Sequence, residues 1–173
     1  MTVDDEAACR ALYDELVAGR NEGSGARFAA AFAEDGELVA FDGSRLQGRA
    51  TIEAFHQELF DKWMKGTRLT GGVDEVKVLG PDVAVMHAIG GTIKRGKTKP
   101  SRARDSIQTL TLKRTDEGWR IAAFQNTRIH PIGSGFLAFL HWSIGDALWS
   151  LFRLSTDPTA HVRTSTPQPV ASR

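Results

Sequence analysis

Residues 105–128 read DSIQTLTLKRTDEGWRIAAFQNTR, and the alternation within them decides the fold class. Ser106, Gln108, Leu110 and Leu112 fall on one face of the first half, with Asp105, Ile107, Thr109 and Thr111 on the other. A period of two over that span predicts an extended strand. Thr115-Asp116-Glu117-Gly118 supplies turn residues that close a hairpin. The second run alternates again: Trp119, Ile121, Ala123, Gln125 and Thr127 share one face, opposite Arg120, Ala122, Phe124 and Asn126. Upstream, 82–94 is a further extended stretch, with Val83, Val85, His87 and Ile89 opposite Ala84, Met86 and Ala88. Another begins at Arg68, carries Val73, Val76 and Val78, and ends at Gly80-Pro81. The second half of the chain therefore reads as an antiparallel meander.

The first half has helical spacing instead. Cys9, Leu12, Tyr13, Leu16 and Val17 recur as on one helix face, with acids in the first turn and Gly19 to Gly25 ending the element. Ser24 opens a shorter helix with Phe28 and Phe32 inward. Asp35-Gly36 reads as a turn, followed by a strand over 37–41 that Asp42-Gly43 returns into a short partner ending near Gly48. A third helix spans about 50–65, with Ile52, Phe55, Leu59, Phe60 and Trp63 as its apolar stripe. Helices segregated from strands predict an α+β fold and exclude a doubly wound parallel sheet.

Length and composition narrow the function classes. At 173 residues, 41% apolar and 25% charged, the chain is of one-domain size and ordinary globular composition. Its one cysteine, Cys9, excludes an internal disulfide framework and a multi-thiolate metal site. A net charge of +1 gives no global reason to expect nucleic acid or an anionic membrane as partner. The run Lys94, Arg95, Lys97, Lys99, Arg102, Arg104 is broken by Gly96 and Pro100 and has no interleaved aromatics, so it reads as a solvated hairpin tip. Residues 1–22 are acidic and polar, unlike a secretory leader, which points to the cytoplasm.

Beyond Pro131 the pattern changes. Residues 136–154 are strongly apolar, with a narrow polar stripe of Ser143, Asp146, Ser150 and Arg153. Residues 133–156 are thus expected as an appended helix and 157–173 as a Ser/Thr/Pro-rich disordered tail. Such a helix must be covered, by a partner subunit, by closing over a pocket, or at a membrane surface, in that order of preference. Gly133-Ser134-Gly135-Phe136-Leu137-Ala138 matches a loose dinucleotide-binding pattern, but no second strand with an acidic ribose partner follows it. No cofactor is expected. The five histidines, His56, His87, His130, His141 and His161, lack metal-ligand spacing, so no metal is expected either.

Several phrases resemble the NTF2-like (SnoaL-like) superfamily, and more closely its SgcJ/EcaC-type subfamily. They are FAAAFAEDGELVAFDGSRLQGRATIEAFHQELF (28–60), PDVAVMHAIGGTI (81–93), DSIQTLTL (105–112) and EGWRIAAFQNTR (117–128), and the likeness extends over about 8–132. The resemblance implies a cone: a curved antiparallel or mixed sheet wrapped over three helices, with a pocket at its wide end and a homodimer formed through the outer sheet face. It leaves the chemistry open, because members include isomerases, polyketide cyclases, epoxide hydrolases, dehydratases and non-catalytic modules. Where ketosteroid-isomerase-like members carry their first catalytic acid, this chain has Val39; Asp42 is close but falls in a turn. The oxidoreductase label attached to the subfamily has no cofactor motif behind it here.

Each meander strand offers an apolar face that turns polar at one end: His87, Gln108 with Ser106, and Gln125 with Thr127. If those faces are concave they line one pocket; otherwise they form a buried polar ladder. His87 is then the candidate acid/base, because histidine trades protons near neutral pH. Gln108 and Gln125 are candidate hydrogen-bond donors to a carbonyl or enolate oxygen. Tyr13 and Trp63 supply aromatic walls, and His56, on the apolar face of the third helix, is either a pocket group or a satisfied core histidine. The expected ligand is a hydrophobic small molecule such as a polyketide- or polyene-like intermediate, either cyclised or isomerised in the pocket or simply bound there.

Overall fold

The computed structural model describes residues 3–101 and 105–129, together with Ile144. Apart from Ile144, the expected appended helix (133–156) and tail (157–173) lie outside the described residues. Met1–Ile129 form one compact unit.

The elements in chain order are α1 (Val3–Glu22), α2 (Gly25–Ala30), β1 (Phe32–Val39), β2 (Arg45–Gln47), α3 (Arg49–Lys62), β3 (Arg68–Gly80), β4 (Val83–Ile93), β5 (Ser106–Thr115) and β6 (Gly118–Arg128). The six strands form one curved mixed sheet in the order β2-β1-β6-β5-β4-β3. All neighbours are antiparallel except β1 and β6, which run parallel. The expected α+β architecture is therefore present, with three helices on one face of the sheet.

Each helix has a local cause. Three acids open α1, where they suit the positive end of its dipole. Ser24 caps α2, its Oγ accepting from the Arg27 N–H at 3.1 Å. Gly19 lets α2 cross α1 closely, since a Cβ there would stand 2.5 Å from the Phe28 nitrogen. In α3 the buried residues are Ile52, His56 and Phe60, one stripe at four-residue spacing. The core joins these stripes to the inner sheet face through Tyr13, Leu16, Phe28, Met86, Leu110, Leu112, Ile121 and Phe124. The start of α1 is fixed by Asp5, which accepts from Arg114 at 2.6 Å and from the Trp119 indole at 3.3 Å.

Three expectations about registers are corrected. Phe32 belongs to β1, not to the second helix, and Asp35-Gly36 is an irregularity inside β1, where its register against β6 shifts. In β4 the inner face is Ala84, Met86 and Ala88, so His87 looks outward with Val83, Val85 and Ile89. Ala84 and Ala88 leave room there for the helices, with Met86 packed between them into the core. In β6 Ile121 sits opposite Leu112 but Ala123 opposite Thr111, which makes Ala122 an extra residue. That bulge reverses the alternation. Trp119 and Ile121 point inward before it and Phe124 after it, which sends Gln125 and Thr127 to the exposed face.

Candidate functional site

Between the helices and the inner sheet face lies a cavity of about 340 Å³. Leu16, Phe28, Leu38, Phe60 and Phe124 make its apolar wall, and Phe41, Phe55 and Trp63 extend that wall outward. Trp63 is 81% exposed, so it forms a rim rather than the inner wall expected of it. A concavity of about 660 Å³ on α3, lined by Glu53, Gln57, Glu58, Asp61 and Lys62, is the solvated side of that helix and has no such apolar lining.

The cavity's polar patch comes from cross-strand rows. Gln108 pairs with Ala88 on one side and Asn126 on the other, and Ser106 with Gly90 and Arg128. Directly opposed residues share a face with Cβ atoms about 5 Å apart, so Ser106, Gln108, Asn126 and Arg128 form one compact group. Gln108 is 3% exposed. The Tyr13 hydroxyl donates to its Oε1 at 2.8 Å. Its Nε2 lies over Gly90, where a Cβ would stand only 2.9 Å away. Asn126 lines the cavity, and its Oδ1 is buried without a hydrogen-bond partner.

His56 lines the same cavity from α3. It is 8% exposed and stacks on Phe28, with ring centroids 4.1 Å apart and planes inclined by 25°. Its Nδ1 is 2.8 Å from the Ile52 carbonyl. A carbonyl can only accept, so Nδ1 carries the proton and Nε2 of the neutral ring is an acceptor. Burial, opposed in part by the Ile52 contact and reinforced by the Arg20 charge, lowers the His56 pKa to about 4. Arg20 reaches in from the last turn of α1. It donates to the Thr67 carbonyl at 3.2 Å and to the Thr67 Oγ1 at 2.7 Å, with its guanidinium 5.5 Å from the Phe60 ring centroid.

Of the residues singled out from the sequence, His56, Trp63, Ser106 and Gln108 line this cavity. Tyr13 is fully buried behind it and acts on it through Gln108. The other three do not reach it. His87 pairs with Glu75 and Thr109, and Thr109 with Gln125, so these four make a polar row across the outer face; Thr127 lies beside it, opposite Ile107. The candidate acid/base His87 and the candidate donor Gln125 are thus on the wrong side of the sheet. Asp42 is a turn former, accepting from the Ser44 N–H at 3.0 Å.

Arg20, Asn126 and Arg128 were not anticipated. Arg20 could have been found, because it continues the Tyr13-Leu16 stripe at helical spacing. Asn126 and Arg128 were hidden by the bulge. Among the described residues no group of three or more His, Cys, Asp or Glu side chains comes together as a metal site would require. Nor does any helix among them have the length and apolarity to cross a membrane. Cys9 is a core residue, its thiol pushed up to about 11 by burial, which leaves it unreactive at neutral pH.

A SnoaL-like domain model matches residues 1–125. A domain of unknown function with a cystatin-like fold from Nostoc punctiforme is 36% identical, covering 88% of this chain and 99% of its own, with a TM-score of 0.75. A ketosteroid isomerase-like protein from Erwinia carotovora atroseptica superposes with a TM-score of 0.61 at 15% identity, over 76% of this chain and all of its own. An NTF2-like protein with a cystatin-like fold from Novosphingobium aromaticivorans gives 0.60 at 19%, over 80% and 88% respectively. These last two likenesses are of fold. No curated protein matches the chain.

Proposed function

Because the chain belongs to the SnoaL-like domain family, a family of ligand-binding and isomerase- or cyclase-type proteins, we propose that its cavity binds a small, mostly apolar molecule through one polar end. The observation that carries this is the division of the lining. Leu16, Phe28, Leu38, Phe60 and Phe124 line most of the cavity, Ser106, Gln108 and Asn126 form a polar group on the sheet, and His56 stands among the phenylalanines on α3. An apolar enclosure with a few convergent polar groups is the usual form of a small-molecule site. At about 340 Å³ the volume is at the small end for such sites. It suits a compound of one or two rings, such as a small aromatic polyketide intermediate of the kind the SgcJ/EcaC-type phrases suggest, better than a long polyene.

Binding without turnover is the reading the chemistry favours. Isomerisation or cyclisation needs a group that takes or gives a proton at the ligand. Among the described lining residues there is no carboxylate, and His56, at about 4, is poorly matched to base catalysis at neutral pH. Its Nε2 is suited to accept a hydrogen bond from a ligand hydroxyl. The exposed Val83, Ile89 and Ile107, with Val85 between them on the outer sheet face, support a homodimer of cytoplasmic chains formed through that face.

Calorimetric titration with 2-naphthol tests the binding reading. One saturable site per chain is expected, lost in Asn126→Phe and in Ser106→Leu, both of which fill the polar end. Equal affinity in wild type and in both folded variants would contradict it.

A further inference from the structure

The charge around the cavity is one-sided. Arg20 and Arg128 both line it, and no aspartate or glutamate does so among the described residues. Arg20 is 6% exposed, and Thr67 and the Phe60 ring fix where its charge stands. Arg128 holds its guanidinium 4.5 Å from the centroid of the Phe41 ring. It forms no ion pair with a carboxylate among the described residues. A guanidinium does not lose its proton in a protein, so the cavity lining carries two fixed positive charges.

Beside Arg128 the hydrogen-bonding groups on β5 are donors, while the acceptors Asn126 Oδ1 and His56 Nε2 also belong to the lining. Ser106 stands directly opposite Arg128 in the β5–β6 ladder, and Gln108 is two residues along the same face. Because Tyr13 occupies the Gln108 Oε1, what Gln108 has left to offer is its amide N–H. Hydroxyl, amide and guanidinium donors therefore converge on one region, where a ligand with oxygen acceptors would satisfy them. Charge-assisted bonds to such acceptors are shorter and about twice as strong as neutral ones, and in a cavity walled by phenylalanines they are little screened.

We propose that the ligand is an amphipathic anion: a one- or two-ring organic acid whose carboxylate lies at the Arg128–Ser106–Gln108 end while its rings lie on the phenylalanine wall. This rests on the binding reading above and adds the charge class of the ligand. The Arg128 guanidinium lies over the Phe41 ring, a cation–π contact that leaves its N–H groups to bond a ligand.

The test compares 2-naphthoate with its neutral isostere 2-naphthamide by calorimetric titration of the full chain at pH 7.5. The acid is expected to bind at least about tenfold more tightly than the amide. Arg128→Gln should remove most of that advantage, and Arg128→Lys, which keeps the charge but not the fork, should restore part of it. Arg128 is chosen because the buried, Thr67-bound Arg20 also supports the fold. Equal binding of acid and amide by the wild type, or an advantage for the acid that survives Arg128→Gln undiminished, would overturn the anion assignment alone. Binding of neither compound would overturn both it and the reading it rests on.

Discussion

The hydroxyl of Tyr13 stands 2.8 Å from Oε1 of Gln108, and through this bond α1 orients the cavity's amide. Both side chains are buried. Burial pushes Tyr13 up to about 12, so its hydroxyl remains a donor across the neutral range. A phenol that can only be relied upon to donate selects the amide oxygen. The nitrogen is thereby turned to the side of Gly90 and the cavity. A core contact ninety-five residues apart in sequence thus sets the polarity of a binding group.

Tyr13→Phe removes that donor and leaves a buried carbonyl oxygen without a partner. The expected cost is about 1–3 kcal/mol of folding stability, read from the urea midpoint. Affinity for 2-naphthamide should fall as well, because the Gln108 amide is then free to turn over. A variant as stable as wild type would show that the bond contributes nothing.

Gly90→Ala tests the other side of the same amide. A Cβ at Gly90 would lie 2.9 Å from Gln108 Nε2, closer than van der Waals contact allows. The amide must move or break from Tyr13, so ligand affinity is expected to drop while the strand, which tolerates alanine, remains folded. Unchanged affinity would mean that Gln108 Nε2 does not contact the ligand.

His56 should make stability depend on pH. Its folded value, about 4, lies below the 6.5 expected of an exposed imidazole, so the unfolded chain binds the proton that the folded chain refuses. Stability therefore rises with pH between about 4 and 6.5, and it is lost as the pH falls through that window. Between pH 7 and pH 4 the wild type should lose about 3 kcal/mol more than His56→Phe does. Parallel losses in the two proteins, measured by urea unfolding at several pH values, would contradict the burial of a neutral imidazole.

The outer face should behave as a separate surface. Ile89→Lys places a charge among Val83, Val85 and Ile107, and sedimentation should show a dimer converted to monomer. His87→Ala, on the same face, should leave affinity for 2-naphthol within about twofold of wild type, since a group that makes no contact contributes within the ordinary scatter of surface substitutions. A large loss of affinity in His87→Ala would reinstate it as a pocket group.

The α+β class, the three helices and the four long strands were legible because their apolar periods are long and regular. Alternation grouped Ser106, Gln108, Leu110 and Leu112 on one face of β5, and the structure makes that face the buried one. Alternation failed in β6 because one residue, Ala122, is extra, and nothing in AAFQNT marks a bulge. It failed in β4 for a different reason. Alternation groups Val85 with His87 and Met86 with Ala88, but it does not say which group is inside. The β5 pairing does, by setting Met86 opposite the buried Leu110 and His87 opposite the exposed Thr109. That register depends on the 94–104 connection, whose length does not determine it. His56 was legible as a helix-face residue, yet its tautomer and its stacking on Phe28 depend on contacts that only the folded chain makes.

The side-chain amide resonances of Gln108, Asn126 and Gln125 offer the sharpest test of the cavity as the binding site. Gln108 and Asn126 face it, while Gln125 lies on the opposite side of the same sheet. In a ¹H–¹⁵N titration with 2-naphthol, the Gln108 and Asn126 amides are expected to shift saturably with Gln125 unmoved. Shifts confined to Gln125, or no saturable shift of Gln108 at concentrations that saturate the calorimetric signal, would place the ligand outside the cavity.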